Sequence, residues 1–149
     1  MKRAWIAPLV AAAAAVAWRE LAPPRNDDRS WMLIARDSSY SISLDTTRIA
    51  RVYDRGYEVW YRTDHVATRY YREKAFDRET VKMLILCRDG RFKVISTTMS
   101  MRGERPVLRQ LNSEKDVNSQ PWHSVEAGST DADAARATCV VADSRWRGR

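Results

Sequence analysis

Between Trp31 and Leu111 the chain alternates apolar and polar residues with a period of two. Tyr40, Ile42 and Leu44 interleave with Ser41, Ser43 and Asp45; Tyr57, Val59 and Tyr61 interleave with Glu58, Trp60 and Arg62. Successive side chains of an extended strand point to opposite faces, so this period predicts strands with one buried face. Trp31 to Ala35 reads as a shorter apolar strand. Val81, Met83, Ile85 and Cys87 alternate with Lys82, Leu84, Leu86 and Arg88. Both faces of that run become apolar near its end, which predicts a central strand. Asp89-Gly90 supplies a tight turn, Phe92 to Met101 returns as a long strand, and Arg102-Gly103-Glu104 turns toward another at Val107 to Leu111. Residues 112–121 read as a loop.

The pattern changes after Trp122. From Asp131 to Val141 alanine dominates and β-branched residues are few, which predicts a helix. Thr130 and Asp133 have the spacing of a capping box, and Ala132, Ala135 and Cys139 fall on one face at i, i+3 and i+7. The fold class that follows is α+β: an antiparallel sheet of about five or six strands with a C-terminal helix.

Met1-Lys2-Arg3 is basic, Ala4 to Ala17 is almost unbroken apolar sequence, and Ala15-Val16-Ala17 fits an A-x-A cleavage site before Trp18. That layout predicts a secretory signal peptide over residues 1–17, with an uncleaved anchor as the alternative. The apolar stretch is shorter than the roughly 20 residues of a membrane-spanning helix. Residues 18–30 are polar with a Pro-Pro pair and read as a flexible lead-in. Residues 31–142 form the expected domain, and 143–149 a basic tail expected to fray.

The formal charge of +7 falls to +5 without residues 1–17, which carry Lys2 and Arg3 and no acidic residue. Acidic residues are interspersed among the basic ones, the pattern of a solvated mixed-charge surface, which argues against nucleic acid as a partner. Export makes one disulfide the default for two cysteines, Cys87 and Cys139. Two buried free thiols or a metal site are the alternatives, and the metal reading lacks a CxxC pair or neighbouring histidines. A bridge closing about 50 residues stabilises by ~4 kcal/mol in the chain-entropy model. It would also pin a short alanine-rich helix that holds poorly by itself.

No GxSxG elbow, HExxH or glycine-rich phosphate loop occurs, and neither a cofactor nor a metal is expected. His65, next to Asp64, and His123 are the candidate general bases; such histidines in a β-domain more commonly pack or face solvent. Trp31, Tyr40, Tyr57, Tyr61 and Phe92 read as core. Trp60, Tyr70 and Tyr71 differ, because they stand among Arg62, Arg69, Arg72 and Lys74. Arginine with aromatic residues is enriched in protein-binding hot spots, which makes residues 60–74 the candidate binding stretch. Cross-strand packing under arginine stems is the competing reading.

The chain runs from a Trp-initiated strand through a strand ending in Asp45, an aromatic strand with Trp60 and a strand ending in Cys87. Trp122-x-x-Val125-x-x-Gly128-Ser129 and a short helix ending in Cys139 follow. This order, over roughly residues 31–141, resembles the bacterial surface-adhesin protein E family of small exported domains. The resemblance implies an antiparallel sheet with a C-terminal helix tied by one disulfide. It also implies surface proteins that bind host extracellular-matrix components, with homodimers known among them. Two departures stand out: Ala127 replaces a proline frequent before Gly-Ser, and the lipid-accepting cysteine known in the adhesin is missing.

Together these readings point to an exported, non-catalytic binding protein, in the periplasm or at the cell surface, for a protein or an anionic matrix polymer. A small periplasmic enzyme with a histidine base and an accessory protein of envelope assembly are the alternatives. N-terminal sequencing of exported protein should read Trp-Arg-Glu-Leu; a retained Met1 would contradict the cleavage site.

Overall fold

The computed structural model of the protein describes residues 30–53 and 56–147. The expected signal segment and the lead-in up to residue 29 lie outside the described residues, as do the last two residues of the tail. The alternating segments become β1 (Trp31–Arg36), β2 (Tyr40–Asp45), β3 (Ala50–Tyr53), β4 (Gly56–Tyr71), β5 (Lys74–Leu86), β6 (Arg91–Ser100) and β7 (Leu108–Leu111). A short helix α1 (Glu114–Ser119), a two-residue strand β8 (His123–Ser124) and helix α2 (Thr130–Arg147) complete the described chain. The sheet is antiparallel, in the order β1-β2-β4-β5-β6-β7. β3 shares one edge of β4 with β2, and β8 shares one edge of β6 with β7. The eight strands exceed the five or six expected, because β3 and β8 are short strands that share an edge with β2 and β7; the sheet is six strands wide.

Strand alternation splits the sheet into two unlike faces. On one, Ile42, Leu44, Tyr57, Val59, Tyr61 and Ile85 are buried beneath α2. The helix presents Ala134, Thr138 and Ala142, spaced four residues apart and almost fully buried, with Ala135 beside them. Small side chains let the helix backbone come close to β1 and β2, while over β4 the long tyrosine rings span the wider gap. Each tyrosine hydroxyl then needs a partner. Tyr57 donates to Asp143 at 2.7 Å. Tyr61 lies 2.6 Å from the Thr138 hydroxyl, which in turn donates to the Ala134 carbonyl at 2.8 Å. Burial pushes the Tyr61 hydroxyl pKa well above its ordinary value.

Cys87 and Cys139 form the expected disulfide, with a Cα–Cα distance of 5.5 Å. Cys87 lies one residue past β5, so the bridge ties the β5–β6 turn to the middle of α2. The β1–β2 turn holds the other end of the helix: the Thr130 hydroxyl donates to Asp37 at 2.7 Å. That bond, with main-chain donors from Ser39 and Tyr40, lowers the Asp37 pKa below the usual carboxylate value.

Four local expectations change. The helix cap is Ser129, whose hydroxyl accepts from the Ala132 amide at 3.1 Å; Thr130 is spent on Asp37. The buried stripe moves accordingly to Ala134, Thr138 and Ala142, while Ala132 is only half-buried. Residues 143–147, expected to fray, are the last turns of α2. Asp143 is held by Tyr57, the Arg145 guanidinium donates to the Thr46 carbonyl, and Trp146 packs against the core. Within the stretch expected to be a loop, Ser113 and Asp116 build a reciprocal capping box that starts α1.

Cys139→Ala should lower stability by about 2–4 kcal/mol. In native-state hydrogen exchange the α2 amides should lose protection before those of β4 and β5. Equal loss across helix and sheet would contradict the tether's local role.

Candidate binding surface

The face of the sheet opposite α2 is a lattice of cations, carboxylates and indoles. Arg62 and Arg78 both reach Asp64, at 3.2 and 2.6 Å. The Arg62 guanidinium lies 5.0 Å from the Trp31 ring centre, and Arg48 lies 5.9 Å from that of Trp60. Lys82 pairs with Glu58 at 2.8 Å. Lys93 is buried, yet its ammonium donates to the Val117 and Asn118 carbonyls at 3.0 and 3.1 Å and lies 5.0 Å from the Trp122 ring. These carbonyls end α1, where a cation is favoured. A pocket of about 390 Å³ opens on this face, lined in part by Thr47, Arg48, Glu58, Trp60 and Lys82.

β4 and β5 extend well beyond the rest of the sheet. Pairing of β2 with β4 ends at Tyr40 opposite His65, and pairing of β5 with β6 ends at Arg78 opposite Ser100. Past those positions the hairpin continues as a two-stranded arm from Val66 to Asp77, entered through a register shift between Asp64 and Arg69. Its tip is the two-residue turn Arg72-Glu73, with φ of 47° and 66°. Both values are left-handed, as in the hairpin turn that usually requires Asn-Gly, and each costs a side-chain-bearing residue about 1–2 kcal/mol.

The root of the arm is braced. Arg102 donates from its amide and its Nε to the two Asp77 carboxylate oxygens, at 2.8 and 3.0 Å, and from Nη2 to the His65 carbonyl at 2.9 Å. Lys74 donates to the Val107 carbonyl at 3.1 Å.

The candidate residues of the 60–74 stretch thus separate into two places. Arg69, Tyr70, Tyr71 and Arg72 stand together at the exposed end of the arm, where Tyr70 is 71% exposed and the Arg72 guanidinium lies 5.4 Å from the Tyr71 ring. Lys74 belongs to the arm but is turned to the Val107 carbonyl. Trp60, only 4% exposed, and Arg62 lie in the lattice about 30 Å along the strand, at roughly 3.3 Å per residue. Arg48, Lys93 and Arg102 escaped the sequence reading. Long-range partners fix all three, and only the paired spacing of Ser113 and Asp116 near the Lys93 partner signals its region locally.

The histidines occupy opposite ends of the sheet. His65 is buried at the arm root between the Tyr40 and Phe76 rings, its Nε2 3.7 Å from Glu79. Asp64, its sequence neighbour, points to the lattice face and binds arginines instead. His123 is exposed on β8 beside Phe92. Among the described residues no group of three or more His, Cys, Asp or Glu side chains is placed to hold a metal, and no helix is long and apolar enough to cross a membrane.

The sheet, the helix laid on one of its faces and the bridge between them define a small disulfide-tied α+β domain class. The particular fold is that of Haemophilus influenzae protein E, so the family resemblance of the sequence holds at the level of the fold. The selenomethionine form of that protein matches with a TM-score of 0.51 at 16% identity, over 80% of this chain and 93% of that one. A second structure of it gives 0.51 at 17%, over 80% and 91%, and its crystal form II gives 0.53 at 17%, over 80% and 94%. The sequence matches no protein-family model and no curated protein.

Replacing Arg72-Glu73 by Asn-Gly should raise stability by about 1–2 kcal/mol, because the turn then costs little backbone strain. Urea unfolding measures it, and a loss of stability would mean that the Arg72 and Glu73 side chains hold the tip.

Proposed function

We propose that the protein is an exported, non-catalytic binding module that meets an acidic partner, a protein or an anionic matrix polymer, at the tip of its arm. One observation carries this reading: Arg69, Tyr70, Tyr71 and Arg72 project together, exposed, from a ribbon braced at its root by Arg102. Exposed tyrosine and arginine side chains give large contact area with few rotatable bonds and with positive charge. The left-handed Arg72-Glu73 turn supports it, since strained backbone persists mainly where a segment has a task. The protein E fold is in keeping with this reading, because the family that the sequence resembles consists of surface proteins that bind matrix components, homodimers among them. The signal peptide expected over Met1 to Ala17 supports a location in the periplasm or on the cell surface. For the alternative of a histidine enzyme the arrangement offers little, because Asp64 faces away from His65 and His123 stands at the far end of the sheet.

The test is charge reversal. Arg69→Glu with Arg72→Glu should weaken binding to immobilised heparin and to polyglutamate by about tenfold at low salt, and less at high salt, where exposed charges are screened beyond about 8–10 Å. His123→Ala should leave both within about twofold, since no proton is moved. Unchanged binding by the double variant would remove the arm as the site. Turnover of an ester, peptide or glycan that collapses in His123→Ala would replace the proposal with the enzyme reading.

A further inference from the structure

We infer that the arm takes its partner as an added β-strand: an extended acidic polypeptide segment pairs with the outer edge of β4 over residues 67–71. This rests on the binding role proposed for the arm and names the partner's class and its mode of recognition.

The edge is open by topology. β2 leaves β4 at His65, and the Val66 amide, bonded to the Ser39 carbonyl at 2.9 Å, makes the last contact there. Beyond it, among the described residues, no strand pairs with that edge. The opposite edge, on β5, is flanked by the 101–107 segment through Lys74 to Val107 and Arg102 to Asp77. The two-residue turn makes Tyr71 and Lys74 the mutually hydrogen-bonded pair. The main-chain N–H and C=O of Tyr70, one residue back, therefore point outward. Five residues of edge span about 17 Å, room for a segment of about six residues.

Side chains select what joins. An unpaired edge invites any strand, and charge on it turns like-charged strands away. Arg69 and Arg72 flank this edge, so a second copy would set arginine against arginine, whereas an acidic strand gains from both. Tyr70 and Val66, 71% and 70% exposed, offer apolar surface to its alternate residues. An anionic polysaccharide would meet the same charges but has no regular row of amides to continue the ladder.

Mature protein is titrated with a capped octapeptide of alternating Glu and Val, and with two analogues N-methylated at one or the other alternate set of amides. The parent peptide should bind, one analogue should lose at least about tenfold and the other stay within about twofold, because only alternate amides face the edge. Exchange of the Tyr70 amide should slow by at least about tenfold in the complex. Equal binding by the two analogues, unchanged Tyr70 exchange, no binding of the peptide beside retained heparin, or a dimer formed through this edge each overturns strand addition. If Arg69→Glu/Arg72→Glu protein loses the peptide while both analogues bind alike, the arm remains the binding surface and only strand addition falls. If that variant binds the peptide unchanged, the arm itself falls.

Discussion

Two tyrosines of β4 stand against a helix with almost no side-chain bulk, and much of the domain follows from how that interface is filled. Ala134, Thr138 and Ala142 let α2 settle close to β1 and β2, and over β4 Tyr57 and Tyr61 occupy the space that larger helix residues would take elsewhere. A stripe of alanines contributes little transfer free energy, since burial scales with apolar area. The helix therefore depends on directed bonds: Tyr61 to Thr138, Tyr57 to Asp143, Thr130 to Asp37 and the disulfide at Cys139. These attachments come from β4, the β1–β2 turn and the β5–β6 turn, so the helix also ties neighbouring parts of the sheet to one another.

With the apolar residues drawn to one face, the opposite face has to satisfy many charges with limited water. It does so in shared arrangements: Asp64 between Arg62 and Arg78, guanidinium groups against Trp31 and Trp60, and Lys93 on the carbonyls that end α1. Removing one member of such a lattice leaves a half-buried charge with fewer partners, which costs more than the pair contributes. Stiffness there matters to the arm, which continues the two central strands. Arg102 clamps the place where the ribbon leaves the sheet, so exposed groups at the tip are presented on a fixed base.

Much of the fold was legible because period-two alternation reports directly which residues share a face. β2, the first half of β4, the last half of β5 and β6 all carry it, and two cysteines behind an N-terminus that reads as a signal peptide made the disulfide the default expectation, which the structure shows. The arm was not legible. Apart from Phe76 near its root, none of its residues is buried, so alternation fades after Asp64, and its turn is Arg72-Glu73, which no turn signature contains. α1 was missed because six residues are too few for helical periodicity, although its Ser113 and Asp116 box was readable. The end of α2 was misread because Asp143, Arg145 and Trp146 look like a polar tail until Tyr57 and Thr46 are brought beside them.

The candidate surface shows the same division. By itself the sequence determined that arginine and aromatic residues concentrate between residues 60 and 74, since composition and spacing are local properties. It could not determine that they form two sites, because Trp60 and Arg62 lie where β4 is flanked on both sides while Arg69 to Arg72 lie where it is not. That difference depends on where β2 and β6 stop, at Tyr40 and Ser100, and so on residues distant in the chain. Face alternation is written into the chain, whereas exposure depends on which strands end beside it, and only the assembled sheet decides that.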